Sequence, residues 1–196
     1  MSEQSGGTSR VLTPEGVRDA LEALVDELVG QGVPARLTVY GGAAIALVHY
    51  ERAATGDVDA SFFPPEEVLA AAGVVGARRG LRADWLNNAA TQFLPPVADG
   101  QERIVIDRGG VTVAVGSAKL LLAMKLRASR PARDGDDIAV LVRACGVRTL
   151  GDAQDVMDEV YLGEEEIPAR GRILLERALG EVEIVGATTA YTLPAV

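Results

Sequence analysis

The sequence has one cysteine and one histidine, and each scarcity excludes a class of protein. A single cysteine, Cys145, cannot form an internal disulfide, so a disulfide-stapled fold is excluded and a reducing compartment, the cytoplasm, is expected. A single histidine, His49, excludes a zinc site built from several histidines. A catalytic triad of the Ser-His-Asp type would have to use that one residue.

Aromatic residues, long apolar runs and positive charge are also scarce. Aromatic side chains make up 4% of a chain that is 48% hydrophobic, so its core must consist mainly of Ala, Val, Leu and Ile. No stretch is apolar over the ~18 residues that a membrane span needs, and the start MSEQSGGTSR is polar. We therefore expect neither a membrane span nor a signal peptide. The net charge of −9 is opposite to that of a general nucleic-acid-binding protein.

Although the net charge is negative, one short span of the sequence is rich in basic residues. A polyanion can bind at such a group, or through a metal ion, even when the whole chain is acidic. The acidic residues are densest between positions 152 and 166, which we interpret as a solvated helix face. The basic group, called the basic cluster below, consists of Lys119, Lys125, Arg127, Arg130 and Arg133.

Hydrophobic periodicity and turn residues predict the element order α-β-α-β-α-β-β-α-α-α-α. Four short strands before residue 116 and helices after it favour a small mixed sheet with a helical C-terminal part. Thr13 and Pro14 are predicted to begin the first helix, as cap and first helical residue. Residues 130–136 are predicted as a charged connector before a helix over 137–144. A last helix is predicted over 168–179, and the segment from 181 onward is predicted as a strand or an arm.

The predicted domain organisation has three parts. A disordered tail is expected over residues 1–12, a core over residues 13–145, and a helical extension with its own tail over residues 146–196. We find no internal repeat.

The stretch VYGGAAIALVHYERAATGDVDASF combines a glycine pair with two aspartates. Gly41 and Gly42 stand between a predicted strand and a predicted helix, where glycine lets the backbone approach phosphate oxygens closely. Asp57 and Asp59 lie two residues apart on the next predicted strand, so their side chains point the same way. Two carboxylates that face one point repel each other, and a divalent cation removes that repulsion. The pattern is typical of metal-assisted phosphoryl or nucleotidyl transfer.

Further residues are candidates for the same site, each with a structural alternative. Asp107, at the end of a later strand, is a candidate third carboxylate ligand of the metal or an ordinary turn residue. Arg52 and Thr55 flank the first aspartate and are candidate contacts of a triphosphate, although Arg52 can equally pair with an acidic surface residue. Trp85 is predicted to anchor a loop on the core, with stacking on a nucleotide base as the alternative.

Lys125 lies in an apolar helical stripe, where a buried lysine needs a partner or a ligand. Its alternative is a position from which the ammonium group reaches a solvated face. The three aspartates that follow, Asp134, Asp136 and Asp137, have the alternative of capping the next helix, for which one of them would suffice.

The combination strand–GG–helix–DxD resembles the signature of the nucleotidyltransferase fold. Four segments within residues 39–143 are similar to bacterial nucleotidyltransferase-like proteins related to the AbiEii and MenT toxins: VYGGAAIALVHY, RAATGDVDASF, DWLNNAA and LLLAMKLRASRPARDGDDIAVL. The resemblance implies a polymerase-beta-like α/β fold, a small mixed sheet flanked by helices. It implies an enzyme that uses Mg²⁺ or Mn²⁺ to transfer a nucleotidyl group from a nucleoside triphosphate to a tRNA end or a protein. It also implies the toxin of a toxin–antitoxin pair, with an antitoxin as partner.

The same resemblance assigns roles to residues of this chain. The glycine pair corresponds to the phosphate-binding turn, and the aspartate pair to the metal-binding residues. Lys125 corresponds to a lysine that contacts nucleotide phosphates. Asp137 corresponds to a downstream supporting carboxylate, and Arg133-Asp134 stands at the place of a Lys-Asp pair.

The chain departs from the family pattern at three places. Gly56 stands where an arginine precedes the first aspartate, Ala53 where a second basic residue is usual, and Asn88 where an aspartate follows Trp-Leu-Asn. These departures support one alternative, a nucleotidyltransferase fold that binds a nucleotide or a partner protein without turnover. Another alternative is a phosphohydrolase that uses the same carboxylates and a metal to activate water.

Overall fold

The structure is a computed structural model that describes residues 11–49, 54–97 and 100–189, with only the backbone at residue 49 and residues 181–189. Residues 1–10 of the tail predicted over residues 1–12 lie outside the described residues, as does the candidate Arg52, whereas Leu12 is buried and forms a backbone bridge with Thr55. Seven α-helices, five strands and a short 3₁₀ helix at Ala89–Phe93 occur in the described ranges. The helices and strands are α1 (Pro14–Gly30), β1 (Ala35–Tyr40), α2 (Gly41–His49), β2 (Val58–Phe63), α3 (Pro65–Arg79), β3 (Leu86–Asn87), β4 (Arg103–Arg108), β5 (Val111–Val115), α4 (Ala118–Ala128), α5 (Pro131–Cys145), α6 (Leu150–Tyr161) and α7 (Ala169–Thr189).

The chain divides into two compact units. The first contains the described residues up to Thr91 together with Glu102–Val115, and it holds the five strands with α1, α2 and α3. The second contains Gln92–Gln101 and the chain from Gly116 onward, and it holds α4 to α7. The division thus follows the end of β5 and not residue 145, because α4 and α5 pack against each other and against α7.

The five strands form one mixed sheet in the order β3-β2-β1-β5-β4. β1 pairs antiparallel with β2 and parallel with β5, β2 pairs parallel with β3, and β4 pairs antiparallel with β5. The prediction of an α/β protein with a small mixed sheet and a helical C-terminal part is confirmed. β3 was not predicted, because two residues are too few to show a hydrophobic period.

The two faces of the sheet differ in polarity. Arg108 and Val111 are directly paired across the hairpin of β4 and β5, so their side chains lie on the same face of the sheet. Arg108 also bonds to Asp26 of α1 at 2.7 Å, so α1 covers this face. The buried residues Leu37, Val39 and Val113 belong to that face. The opposite face carries the polar residues Arg36, Thr38, Asp59, Ser61, Asn87 and Thr112.

Local sequence signals account for the beginnings of α1 and α5. Thr13 caps α1 as predicted, because its Oγ1 accepts the Gly16 N–H at 3.1 Å. α5 begins at Pro131, so the predicted connector over residues 130–136 is wrong. Proline suits the first helical position, and the N–H of Arg130 donates to Asp134 Oδ2 at 2.8 Å. Asp134, Asp136 and Asp137 all lie within α5, so none of them is its N-cap residue.

The C-terminal helix is longer than predicted. α7 continues past residue 179 to Thr189, so the described part of the segment predicted as a strand or an arm is helical. Residues 190–196 lie outside the description. Among the helices of the described ranges, none is both long enough and apolar enough to cross a bilayer.

Candidate carboxylate site

Gly41 and Asp59 meet at one end of the sheet. The last residue of β1, Tyr40, pairs with Asp59 near the beginning of β2, and Gly41 follows at the same end. Gly41 has a φ of +61° and is the first residue of α2. A Cβ on Gly41 would lie 3.2 Å from Asp59 Oδ2. The missing side chain leaves room for this carboxylate, and the expected closeness of the glycine turn and the aspartate pair is observed for these two residues.

Asp57 lies directly before β2, and its carboxylate is on the same face of the sheet as that of Asp59. Asn87 of β3 pairs directly with Asp59, so both side chains share one face of the sheet. The Asn87 Nδ2 group donates to Asp57 Oδ2 at 3.3 Å. The Asn87 amide lies on the face of the sheet that carries Asp59, and it bonds to Asp57. Both carboxylates are therefore directed to that face. Val58, which lies between them, is buried on the other face.

Asn87 is held in one orientation by a second hydrogen bond. Its Oδ1 accepts the N–H of Ala89 at 2.9 Å, so its NH₂ group is the one that faces Asp57. In the sequence, Asn87 stands out only as a member of the DWLNNAA segment. An asparagine that bonds two residues ahead is a recognisable turn signal, but its contact with Asp57 depends on strand pairing. Gly41, Asp57, Asp59 and Asn87 are called the carboxylate site below.

The loop that carries Asn87 is anchored by Trp85, as predicted. The Trp85 side chain is buried, and its Nε1–H donates to the backbone oxygen of Ala72 at 2.9 Å. The backbone oxygen of Trp85 accepts the N–H of Val58 at 2.6 Å, directly after Asp57. The loop is thereby attached both to α3 and to the beginning of β2.

Arg82, on the same loop, is a cation near Asp57 that the sequence did not indicate. Its guanidinium group donates to both carboxylate oxygens of Asp84, at 2.8 and 2.6 Å. This hydrogen bonding raises the pKa of Arg82, and the charge of Asp57 acts in the same direction. Arg82 is therefore engaged mainly by Asp84, and Asp57 acts on it through its charge alone.

The side chain and the backbone of Thr55 both form hydrogen bonds within the protein. Its side chain is buried, and its Oγ1 donates to the backbone oxygen of Asp57 at 3.1 Å. Its backbone forms a two-way bridge with Leu12, with both hydrogen bonds at 2.8 Å. Thr55 therefore stabilises the segment that leads into β2, and this placement does not support its predicted contact with a triphosphate.

Asp107 lies at the other end of the sheet from the carboxylate site. Asp107 pairs with Thr112, Thr112 pairs with Arg36, and Arg36 pairs with Phe63 at the end of β2 remote from Asp59. Three strand spacings of ~4.8 Å also separate β4 from β2. The register therefore excludes Asp107 as a ligand of the same ion. In the described ranges, no group of three or more His, Cys, Asp or Glu side chains is arranged so that it could hold a metal ion.

Lys125, in the second unit, is buried between two carboxylates. Its Nζ lies 2.7 Å from Asp134 Oδ1 and 2.7 Å from Asp137 Oδ2, and the three side chains are 7%, 0% and 5% exposed. The predicted need for a partner is thus met by two aspartates, and the alternative of a solvated ammonium group is wrong. Because its charge is already matched, the arrangement does not support a direct contact of Lys125 with nucleotide phosphates.

Burial and the neighbouring positive groups act in opposite directions on the pKa of Asp134. Burial alone would raise the pKa of the Asp134 carboxyl. The charge and hydrogen bond of Lys125, with the N–H groups of Arg130, outweigh burial and hold that pKa below its ordinary value. Asp134 is therefore ionised at neutral pH.

Ion pairing neutralises most of the basic cluster. Arg133 is exposed and pairs with no carboxylate among the described residues. A long RNA backbone would therefore meet little unmatched positive charge on this cluster. The four paired residues and their partners are Lys119 with Glu159, Lys125 with Asp134 and Asp137, Arg127 with Glu165, and Arg130 with Asp134.

No family model, no curated protein and no solved structure matches this chain. Its function therefore has to follow from the residues themselves. The first unit brings Gly41, Asp57, Asp59 and Asn87 together, and the second unit brings Lys125 together with its two aspartates.

Proposed function

We propose that the protein is a metal-dependent nucleotidyltransferase. It would transfer a nucleotidyl group from a nucleoside triphosphate to an acceptor hydroxyl group and release pyrophosphate. The observation that carries this proposal is the placement of Gly41, at positive φ, against the Asp59 carboxylate, with Asp57 on the same side of β2.

The carboxylate site fits a hard divalent cation. Asp57, directly before β2, and Asp59, within it, supply carboxylate oxygens on one face of the sheet, where their like charges repel each other. One or two protein carboxylates, completed by water and substrate phosphates, are the usual protein contribution to Mg²⁺ binding. When bound there, Mg²⁺ or Mn²⁺ would supply charge neutralisation and Lewis-acid polarisation of the phosphoryl oxygens.

The backbone at Gly41 is suited to phosphate. The first N–H groups of a helix have no partner inside the helix, and the helix dipole favours an anion at this end. α2 begins directly at Gly41, whose lack of a side chain lets a phosphate oxygen approach the backbone. In the proposed reaction the acceptor oxygen bonds to the α-phosphorus, the bond to the departing pyrophosphate breaks, and the acceptor proton is released.

A second candidate function is nucleotide binding without turnover. The observation that favours it is the pairing of Lys125 with both Asp134 and Asp137, which leaves that ammonium group matched within the protein. The glycine at position 56 in place of an arginine points in the same direction. A tRNA end or a protein as acceptor, and an antitoxin as partner, remain predictions from the resemblance.

One labelling experiment separates these functions. The purified protein is incubated with Mg²⁺, each labelled nucleoside triphosphate in turn and total bacterial RNA, beside the Asp57→Ala/Asp59→Ala variant. Asp107→Ala is the matched control, since it removes a carboxylate from the same sheet but far from the site. We expect label in RNA or in protein with the wild type and with Asp107→Ala, and none with the double variant.

The other outcomes are equally informative. Metal-dependent thermal stabilisation by a nucleotide without pyrophosphate release would establish the binding protein. Release of inorganic phosphate without labelled acceptor would establish the phosphohydrolase. Full transfer by the double variant would reject the carboxylate site as the centre of function.

A further inference from the structure

We infer that Asn87 is a positioning residue that holds the Asp57 carboxylate in place for the cation, an inference that rests on the proposed function. Asn87 Nδ2 donates to Asp57 Oδ2 at 3.3 Å, which leaves the other carboxylate oxygen, Oδ1, for a metal ligand bond. Mg²⁺ usually takes one or two protein carboxylates and keeps several waters, so a single oxygen from Asp57 would be sufficient.

Asp57 is held at both its backbone and its side chain. Thr55 Oγ1 donates to the backbone oxygen of Asp57 at 3.1 Å, and Asn87 engages the carboxylate. Without the amide, the side chain of Asp57 can rotate away from Asp59, because the two carboxylates repel each other when no cation is bound. The hydrogen bond from Asn87 opposes that rotation before the cation arrives.

An amide is suited to this task because it donates a hydrogen bond without adding charge. A third carboxylate at the same place would increase the repulsion within the pair, and a lysine or arginine would compete with the cation for the carboxylates. Partners that orient a metal ligand in this way typically contribute 10–100-fold to metal affinity or activity.

Asn87 is itself fixed by its surroundings. Its Oδ1 accepts the Ala89 N–H at 2.9 Å, and its backbone pairs with Asp59 in the parallel ladder of β2 and β3. The neighbouring Asn88 offers a contrast, since it is exposed and engages Thr91 through its backbone oxygen. Of the two adjacent asparagines, Asn87 is the one whose side-chain amide donates to Asp57.

The test measures binding of Mn²⁺ alone, through the electron paramagnetic resonance signal of the free ion, so it does not depend on activity. Asn87→Ser keeps an oxygen for the Ala89 N–H but does not reach Asp57 with a donor. Asn88→Ser is the matched control. We expect Asn87→Ser to weaken Mn²⁺ binding by about 10-fold or more, while Asn88→Ser binds like the wild type.

A folding control and a site control complete the test. Thermal unfolding without metal shows whether Asn87→Ser is folded. If it is destabilised, Asn87→Thr, which suits a strand and also lacks the amide donor, takes its place. Equal Mn²⁺ affinity of the folded Asn87 and Asn88 variants would overturn the inference. Asp57→Ala/Asp59→Ala is titrated in parallel: unchanged Mn²⁺ binding by this variant would instead reject the metal site and the proposed function.

Discussion

Lys125 of α4 and Asp134 of α5 form a buried ion pair, with 2.7 Å between Nζ and Oδ1. Asp137 is bound to the same ammonium group, so one cation serves two carboxylates that are shielded from solvent. Two buried carboxylates without a cation would be costly. We therefore interpret Lys125 as the residue that allows α4 and α5 to pack.

Replacing Lys125 by methionine should strongly destabilise the protein. Lys125→Met leaves two carboxylates buried without their cation, and breaking a buried pair in this way typically costs about 3–5 kcal/mol. Lys119→Met is the matched control, because Lys119 lies on the same helix and forms an exposed pair with Glu159. Urea unfolding of both variants should show a large loss for Lys125→Met and little change for Lys119→Met. Equal midpoints would contradict a structural role of Lys125.

The stability of the protein should fall as the pH falls below about 4. The pKa of Asp134 is lower in the folded protein than its ordinary value of 3.8. A lowered pKa means that the folded state favours the ionised form, so this contribution is complete above 3.8 and is lost as the pH falls through the lower, folded value. Unfolding free energies between pH 6 and pH 2 should decrease more steeply for the wild type than for Asp134→Asn. Parallel curves would show that Asp134 does not contribute to the acid dependence.

Two glycines of α7 should respond in opposite ways to replacement by alanine. A Cβ on Gly171 would lie 2.6 Å from the backbone oxygen of Leu126 and 2.7 Å from Ser129 Oγ, so α7 and the end of α4 would have to separate. Such overpacking typically costs about 1–3 kcal/mol. Nothing lies within 4 Å of a Cβ on Gly180, where alanine should stabilise the helix by up to about 1 kcal/mol. Thermal unfolding of the two variants measures this, and a stabilised Gly171→Ala would refute the close contact.

Gly41→Ala should impair the carboxylate site beyond its effect on stability. Gly41 and Gly80 have φ values of +61° and +65°, and alanine at either position is strained by about 1–2 kcal/mol. Only at Gly41 does the new Cβ also approach a functional candidate, Asp59 Oδ2, at 3.2 Å, while the space around Gly80 is empty to 4 Å. Stabilisation by Mg²⁺ with a nucleoside triphosphate should therefore be reduced in Gly41→Ala and retained in Gly80→Ala. Equal responses would show that the space beside Asp59 is not needed.

Local signals in the sequence determined several elements correctly. Thr13 and Pro14 mark the beginning of α1, because a cap and a first-turn proline act within four residues of each other. The alternation around Val58 predicted that Asp57 and Asp59 share a side, because strand geometry has a period of two residues. Where the local signal was weak or misjudged, as at the two-residue β3 and at Pro131, the prediction was incomplete or wrong.

Tertiary structure decided which of the candidate residues meet. Asp107 and Asp59 are both acidic residues on strands, yet strand order and register place them at opposite ends of the sheet. Asn87 reaches Asp57 because β3 pairs in parallel with β2, a pairing between segments about 30 residues apart in the chain. Local residue patterns are sufficient to set a helix start or the alternation of a strand. Strand order and ion-pair partners depend on long-range packing, and only the folded chain determines them.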